Sequence, residues 1–189
     1  MLVVFVGPPG AGKGTQADRV REHLAIPHLS TGELMRNAES SQSELGKQVG
    51  EFLSRGELVP DELAIGIVEE RMGQPDCKTG CLFDGFPRTV TQAIQFDKRL
   101  TDKGKSLDLV VALDVPRDEL VSRLIARGRR DDTPETIANR LDVYDLQTLP
   151  LFDYYAQQGI LAKVDGSGTE AEVFEHIKRV IDERRTETA

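Results

Sequence analysis

The chain lacks several features that would widen its range of roles. Only two cysteines, Cys77 and Cys81, stand among 189 residues. No second pair completes a zinc-binding set, so no structural zinc is expected, and Cys81, opening an apolar run, reads as a small core residue. No apolar stretch approaches the ~18 residues of a membrane-spanning helix, so no membrane partner is expected. The opening Leu2-Val3-Val4-Phe5-Val6 has no basic flank or cleavage site and reads as a strand, which predicts no secretory leader and a cytoplasmic location. Basic charge is also short: 24 Lys and Arg face 32 Asp and Glu, a formal charge of −8. A nucleic-acid surface needs a basic stripe, so nucleic acid is not an expected partner. Internal repeats and low-complexity segments are missing. The length suits one α/β domain, residues 1–189, acting as a monomer.

What is present begins at Gly7. The run Gly7-Pro8-Pro9-Gly10-Ala11-Gly12-Lys13-Gly14-Thr15 follows the apolar strand and opens into Gln16-Ala17-Asp18-Arg19-Val20, which reads as a helix. Strand, glycine loop and helix N-terminus together form an anion cradle: inward amides and the helix dipole favour phosphate, and Lys13 reaches its outer oxygens.

Beyond the loop, strands and helices alternate. Strands are predicted near 2–6, 27–29, 81–84, 108–114 and 160–165. Helices are predicted near 13–25, 31–40, 44–54, 61–73, 89–102, 117–127, 134–157 and 170–185, with a polar tail after Ile181 that should fray. Leu109 to Leu113 is continuously apolar, as a strand covered on both faces requires. The alternation predicts an α/β fold with a parallel five-stranded sheet flanked by helices and ligands at the carboxyl ends of the strands. Two successive helices interrupt it between residues 30 and 59, bounded by Gly56 and Pro60. Ser30-Thr31-Gly32-Glu33 has the form of a capping box, which accounts for Ser30 and Glu33 but not for Thr31 or Arg36.

Arginine outnumbers lysine 16 to 8, and the span from Arg117 to Arg140 holds six arginines and no lysine. Guanidinium binds phosphate in a bidentate fork, so this concentration points to phosphate chemistry. Arg123 and Arg127 stand four residues apart on one helix face, opposite Leu120, Val121, Leu124 and Ile125. Asp84 ends an apolar strand, where a carboxylate is costly unless partnered; a structural cap is one reading of it. His23, His28 and His176 lack any partner pattern and read as surface or ordinary helix residues. Pro87 after Phe86 is a candidate cis bond.

Four segments, in order along the chain, resemble the adenylate kinases of the nucleoside monophosphate kinase family. They are Gly7 to Gln16, Ser30 to Arg36, Phe83-Asp84-Gly85-Phe86-Pro87-Arg88-Thr89 with Gln92, and Arg129-Arg130-Asp131-Asp132. The resemblance implies reversible phosphoryl transfer from MgATP to AMP, giving two ADP, with ATP, ADP and AMP as the partners. It further implies a helical monophosphate-binding insertion at 30–59 and a very short lid at 127–132. By the same resemblance ATP is held at Gly10, Ala11, Gly12, Lys13, Gly14, Thr15 and Arg127. AMP is held at Thr31, Arg36, Val59, Gly85, Arg88, Gln92, Arg129 and Arg140. The catalytic set implied is Lys13, Arg88, Arg123, Arg127, Arg129, Arg140 and Asp84. Mg2+ arrives with ATP and Asp84 meets it through water, with no direct metal ligand. Asp131 and Asp132 match the family's paired aspartates, while Thr133 and either aspartate are also candidates to cap the helix beginning near Pro134.

Thr31 stands where the resembling UMP/CMP kinases usually carry alanine, and the amide of Gln92 can pair with the Watson–Crick edge of adenine. Both favour AMP over the rival reading, a UMP/CMP kinase of the same fold. A non-catalytic nucleotide sensor is the other rival; it explains the loop but leaves Arg36, Arg88 and the arginine cluster without a task.

Overall fold

The computed structural model describes residues 1–41, 43–129 and 132–187, with only the backbone described at Leu45. Five strands form one parallel sheet: β1 (Leu2–Val6), β2 (His28–Ser30), β3 (Cys81–Asp84), β4 (Leu109–Asp114) and β5 (Leu161–Asp165), in the order β2-β3-β1-β4-β5. The order turns at β1, since β3 and β2 lie to one side and β4 and β5 to the other. Parallel sheets bind ligands beyond the strand ends at such a switch point, and the glycine loop leaves β1 there.

Helices cover both faces. On one side lie α1 (Lys13–Leu24), α6 (Arg117–Arg127), α7 (Pro134–Val143) and α9 (Glu170–Glu187). On the other lie α2 (Thr31–Ser40), α3 (Glu44–Arg55), α4 (Asp61–Met72), α5 (Val90–Asp102) and α8 (Leu151–Gln157). Strand alternation sorts the core: Leu2, Val4 and Val6 enter one hydrophobic cluster, Val3 and Phe5 the other. Every residue of β1 is buried, which explains its unbroken apolar run. Cys77 and Cys81 are buried free thiols, as the core reading of Cys81 expects.

The interruption at 30–59 consists of α2 and α3, packed on one another before α4 returns the chain to the sheet. They cross closely because Gly46 has no Cβ; one built there would collide with the carbonyl of Ala38.

Several sequence expectations need correction. The single helix expected over 134–157 is broken: α7 ends at Val143, a π-helical turn spans Tyr144–Thr148, and α8 starts beyond Pro150. Proline cannot donate to a preceding turn, so a continuous helix loses its ladder there. Ser30 is the N-cap of α2, but its side chain accepts no capping hydrogen bond, so the expected capping box does not form. Thr133 does cap α7, accepting from the Thr136 amide at 3.2 Å. The tail does not fray within the described residues: α9 continues to Glu187, and Arg184 Nε donates to the Asp108 carbonyl at 2.8 Å. Ile125, placed on an apolar face by its sequence, is exposed, while Leu120 and Leu124 are buried.

Candidate active site

A cleft of about 920 Å³ opens at the carboxyl edge of the sheet, at the upper end of ordinary ligand pockets. Its wall includes Gly10, Ala11, Gly12, Lys13, Gly14, Thr15, Arg36, Val59, Asp84, Gly85, Arg88, Gln92, Arg123, Arg127, Arg129 and Arg140. Residues drawn from widely separated stretches of sequence thus meet in one space. Thr31 is the exception. It is fully buried in the floor, and its hydroxyl lies 3.0 Å from the Asp84 carbonyl and 2.8 Å from that of Gly85.

At one end of the cleft the loop after β1 turns into α1. Gly10 and Gly12 have φ of 86° and 88°, a left-handed conformation that a side chain would strain. Gly12 is the N-cap of α1 and supplies no capping side chain, and the first turn contains no acidic residue. The first amides of a helix have no carbonyl partner within it, so they are left to an anion. Lys13 folds back over the loop, its Nζ donating to the carbonyls of Gly7 at 2.7 Å and Pro8 at 2.9 Å. Burial pushes its pKa down to about 8; Asp84 opposes the shift, while Arg88 and Arg127 add to it.

Asp84 closes β3 and faces α1: its Oδ2 lies 3.8 Å from the place a Cβ would occupy at Gly14. Burial alone would raise its pKa, but His28, Lys13 and Arg88 together hold it below the usual carboxylate range. His28 Nε2 is 3.4 Å from Asp84 Oδ2, and its Nδ1 is 3.8 Å from Asp18 Oδ1. The sequence reading of His28 as an ordinary residue is therefore corrected: it lines the cleft beside Asp84.

Cations line the cleft onward from the loop. Arg123 stands over Gly12, one guanidinium nitrogen 4.0 Å from a Cβ built there. It bonds to Glu119 at 2.5 Å and to the Gly166 carbonyl at 2.9 Å. Asp132 has no exposed side-chain surface and is shared by Arg127, at 2.7 and 2.9 Å, and Arg140, at 3.0 Å. Against the cost of burial, those two guanidiniums and the Arg129 amide keep Asp132 ionised. Its observed role is thus to bridge arginines; the partner expectation for Asp131, with part of the 127–132 lid, lies outside the described residues.

At the far end, Arg88 sits near Arg140 and Arg36, and burial lowers its pKa, with Asp84 opposing and the two arginines adding to the shift. Its Nε donates to the Gly85 carbonyl at 2.8 Å, and its own carbonyl accepts from Thr148 Oγ1 at 2.8 Å. Among the described residues neither Arg36 nor Arg88 forms an ion pair with a carboxylate. Guanidiniums that repel one another in a partly desolvated site, with only the more distant Asp84 opposing at Arg88, call for an anion. Gln92 is buried between two partners, the Arg88 amide and Asp61, each at 2.8 Å. Phe86-Pro87 is cis.

Sequence reasoning missed His28, Asp61, Thr148 and the 166–170 loop, which also lines the cleft. The first three act through contacts 28 to 60 positions away, which no local pattern reports. The loop carried a weak signal, since it follows the last strand at the ligand-binding edge.

A family model described as adenylate kinase matches residues 5–160. The chain is 43% identical to the adenylate kinase of Carboxydothermus hydrogenoformans, over 96% of this chain and 99% of that protein. It is 46% identical to adenylate kinase 1 of Nostoc sp., over 95% and 97%, and 50% identical to adenylate kinase 1 of Synechocystis sp., over 87% and 88%. The Carboxydothermus alignment runs to 212 positions although this chain has 189 residues, so that relative carries residues this chain lacks. The Nostoc alignment covers nearly as much of the chain in 179 positions.

Proposed function

The chain belongs to the adenylate kinase family and is a phosphotransferase acting between ATP and AMP, and from that premise we propose how its residues divide the work. Lys13 and the amides of Gly10, Gly12, Gly14 and Thr15 hold the donor phosphates, with Arg127 beside them, while Ala11, whose amide donates to the Pro8 carbonyl at 3.1 Å, shapes the loop around them. Arg36 and Arg88 hold the AMP phosphate. Val59, Gly85 and Gln92 flank the AMP base, and Thr31 ties their floor together from beneath. Arg123, Arg127, Arg129 and Arg140 gather the charge of the group in transit.

An oxygen of the AMP phosphate attacks the γ-phosphorus of ATP. The bond from that phosphorus to its bridging oxygen breaks, and two ADP result. The protein has little covalent chemistry to do; it holds two polyanions in line and neutralises charge in a site with restricted water. Asp132 holds Arg127 and Arg140 at one fixed separation until phosphate competes for them.

Magnesium enters with ATP and, when bound, offsets phosphate charge. The donor set fits that ion. No group of three or more His, Cys, Asp and Glu able to cage a metal occurs among the described residues, whereas Asp84 offers one ionised carboxylate beside the first turn of α1. Mg2+ keeps several waters and needs only one or two carboxylates, so contact through water suits Asp84. No helix among the described residues is long and apolar enough to cross a membrane; action as a cytoplasmic monomer, with 30–59 as the AMP-binding insertion and 127–132 as a short lid, belongs to the same proposal.

The observation that carries this division is the pair Arg36 and Arg88, without an ion-paired carboxylate among the described residues, in one cleft with the amide-lined loop. Arg88→Ala tests it. Loss of a buried charge-assisted contact to the acceptor phosphate should lower kcat/KM by about 10²–10³-fold, with the circular dichroism of the fold retained. Turnover near that of the wild type removes Arg88 from the site.

A further inference from the structure

Gln92 stands in the first turn of α5, whose N-cap Thr89 accepts from the Gln92 amide at 3.0 Å. Its side chain is gripped by two groups of opposite character. Oε1 accepts from the backbone N–H of Arg88 at 2.8 Å, and Nε2 donates to Asp61 Oδ1 at 2.8 Å. A backbone N–H only donates, and a carboxylate at neutral pH only accepts. Turning the amide over would set oxygen against carboxylate and N–H against N–H, two repulsions in place of two bonds. Asp61 is itself held: it is the first residue of α4, and the Thr89 hydroxyl reaches its two oxygens at 3.3 and 3.4 Å. It stands behind Gln92 and does not line the cleft.

These contacts leave Gln92 one lone pair and one N–H for a ligand. Adenine presents an amino donor beside the N1 acceptor. A 6-oxopurine presents the reverse, an oxygen acceptor beside an N1–H donor. A carboxamide can match either edge, but the two matches require opposite orientations of the amide. We propose that Asp61 is a positioning residue that determines base specificity: it locks the Gln92 amide in the orientation that pairs with adenine and opposes a 6-oxopurine. The inference rests on the reading of Gln92 as the acceptor-base residue. A 6-oxopurine in the same pose leaves both polar groups of Gln92 facing like groups, and this is the kind of mismatch by which sites reject an analogue strongly.

Asp61→Asn keeps the shape of the side chain while letting it donate or accept, so one of the two restraints on Gln92 disappears. The measurement is kcat/KM with MgATP for AMP and for inosine monophosphate, whose purine differs from adenine at this edge alone. The AMP-over-IMP ratio should fall about tenfold in D61N, mainly through the two KM values, with kcat for AMP changing less. A general weakening of the fold would lower both acceptors together and leave the ratio alone. Should D61N fail to fold, Asp61→Ser serves, because a hydroxyl likewise donates or accepts. Gln92→Ala separates the premise from the proposal. If Q92A leaves the ratio as in the wild type, Gln92 does not read the base. If Q92A collapses the ratio and D61N does not move it, the lock assigned to Asp61 is overturned.

Discussion

Lys13 gives two of its N–H donors to carbonyls of its own loop, and burial holds its pKa at about 8. In the unfolded chain the same lysine titrates near 10.4. Between those values the unfolded state binds a proton that the folded state does not, so this group adds stability as pH rises through that window. Binding has the opposite sign. Donor phosphates favour the charged amine and raise its pKa, so the complex takes up a proton above pH 8 and affinity falls as pH climbs. Calorimetric titration of MgATP at pH 7 and pH 9, in buffers of different ionisation enthalpy, should show little linked protonation at pH 7. At pH 9 it should show uptake approaching one proton, with weaker binding. Equal affinity and no linked proton at pH 9 would mean that Lys13 does not meet the phosphates. The residue was legible in sequence because loop and lysine form a contiguous motif. Its resting contacts and lowered pKa were not, since both depend on how the loop closes around it.

Elements extend the argument from single groups to their supports. Arg36 rides on α2, and α2 is steadied by α3, whose Gly46 packs against the Ala38 carbonyl. Gly46→Ala should force the helices apart and cost about 1–3 kcal/mol, the usual penalty of overpacking. Urea unfolding measures that cost. Because α2 carries Arg36, KM for AMP should rise more than KM for ATP. A variant with wild-type stability and wild-type KM for AMP would contradict this support role. The α2–α3 excursion was visible as two successive helical patterns between turn signals, and β1, β3 and β4 as apolar runs. The break of 134–157 was missed although Pro150 was in plain view, because apolar periodicity carries across the π-helical turn. Ser30 and Glu33 matched a capping box by spacing, yet both line the cleft. Spacing reports which groups lie within reach and not which partner wins.

Across the whole molecule, the sheet fixes where the chemistry occurs. Its order turns at β1, so the glycine loop, Asp84 at the end of β3 and the 166–170 loop after β5 open on one edge. The helices then bring Arg36, Arg123, Arg127 and Arg140 to that edge from both faces of the sheet, and the loop between β3 and α5 adds Arg88. An acidic protein, with net charge −8, thereby concentrates cations in one cleft. This gathering was foreseeable as motifs in chain order. The partners that tune it, His28 for Asp84 and Asp61 for Gln92, were hidden because each comes from a different strand or helix.

The division of the cleft into a donor end and an adenine-reading acceptor end is the central claim. The measurement that tests it most directly is ADP formation from MgATP with AMP, CMP, UMP or GMP as acceptor, assayed in parallel. Fast turnover with AMP, and kcat/KM lower by at least about 10²-fold with UMP and GMP, is the result expected of a base site built around Gln92; CMP, whose amino group and ring nitrogen repeat the adenine pattern, is the least disfavoured of the three. Turnover with UMP or GMP comparable to that with AMP would contradict it.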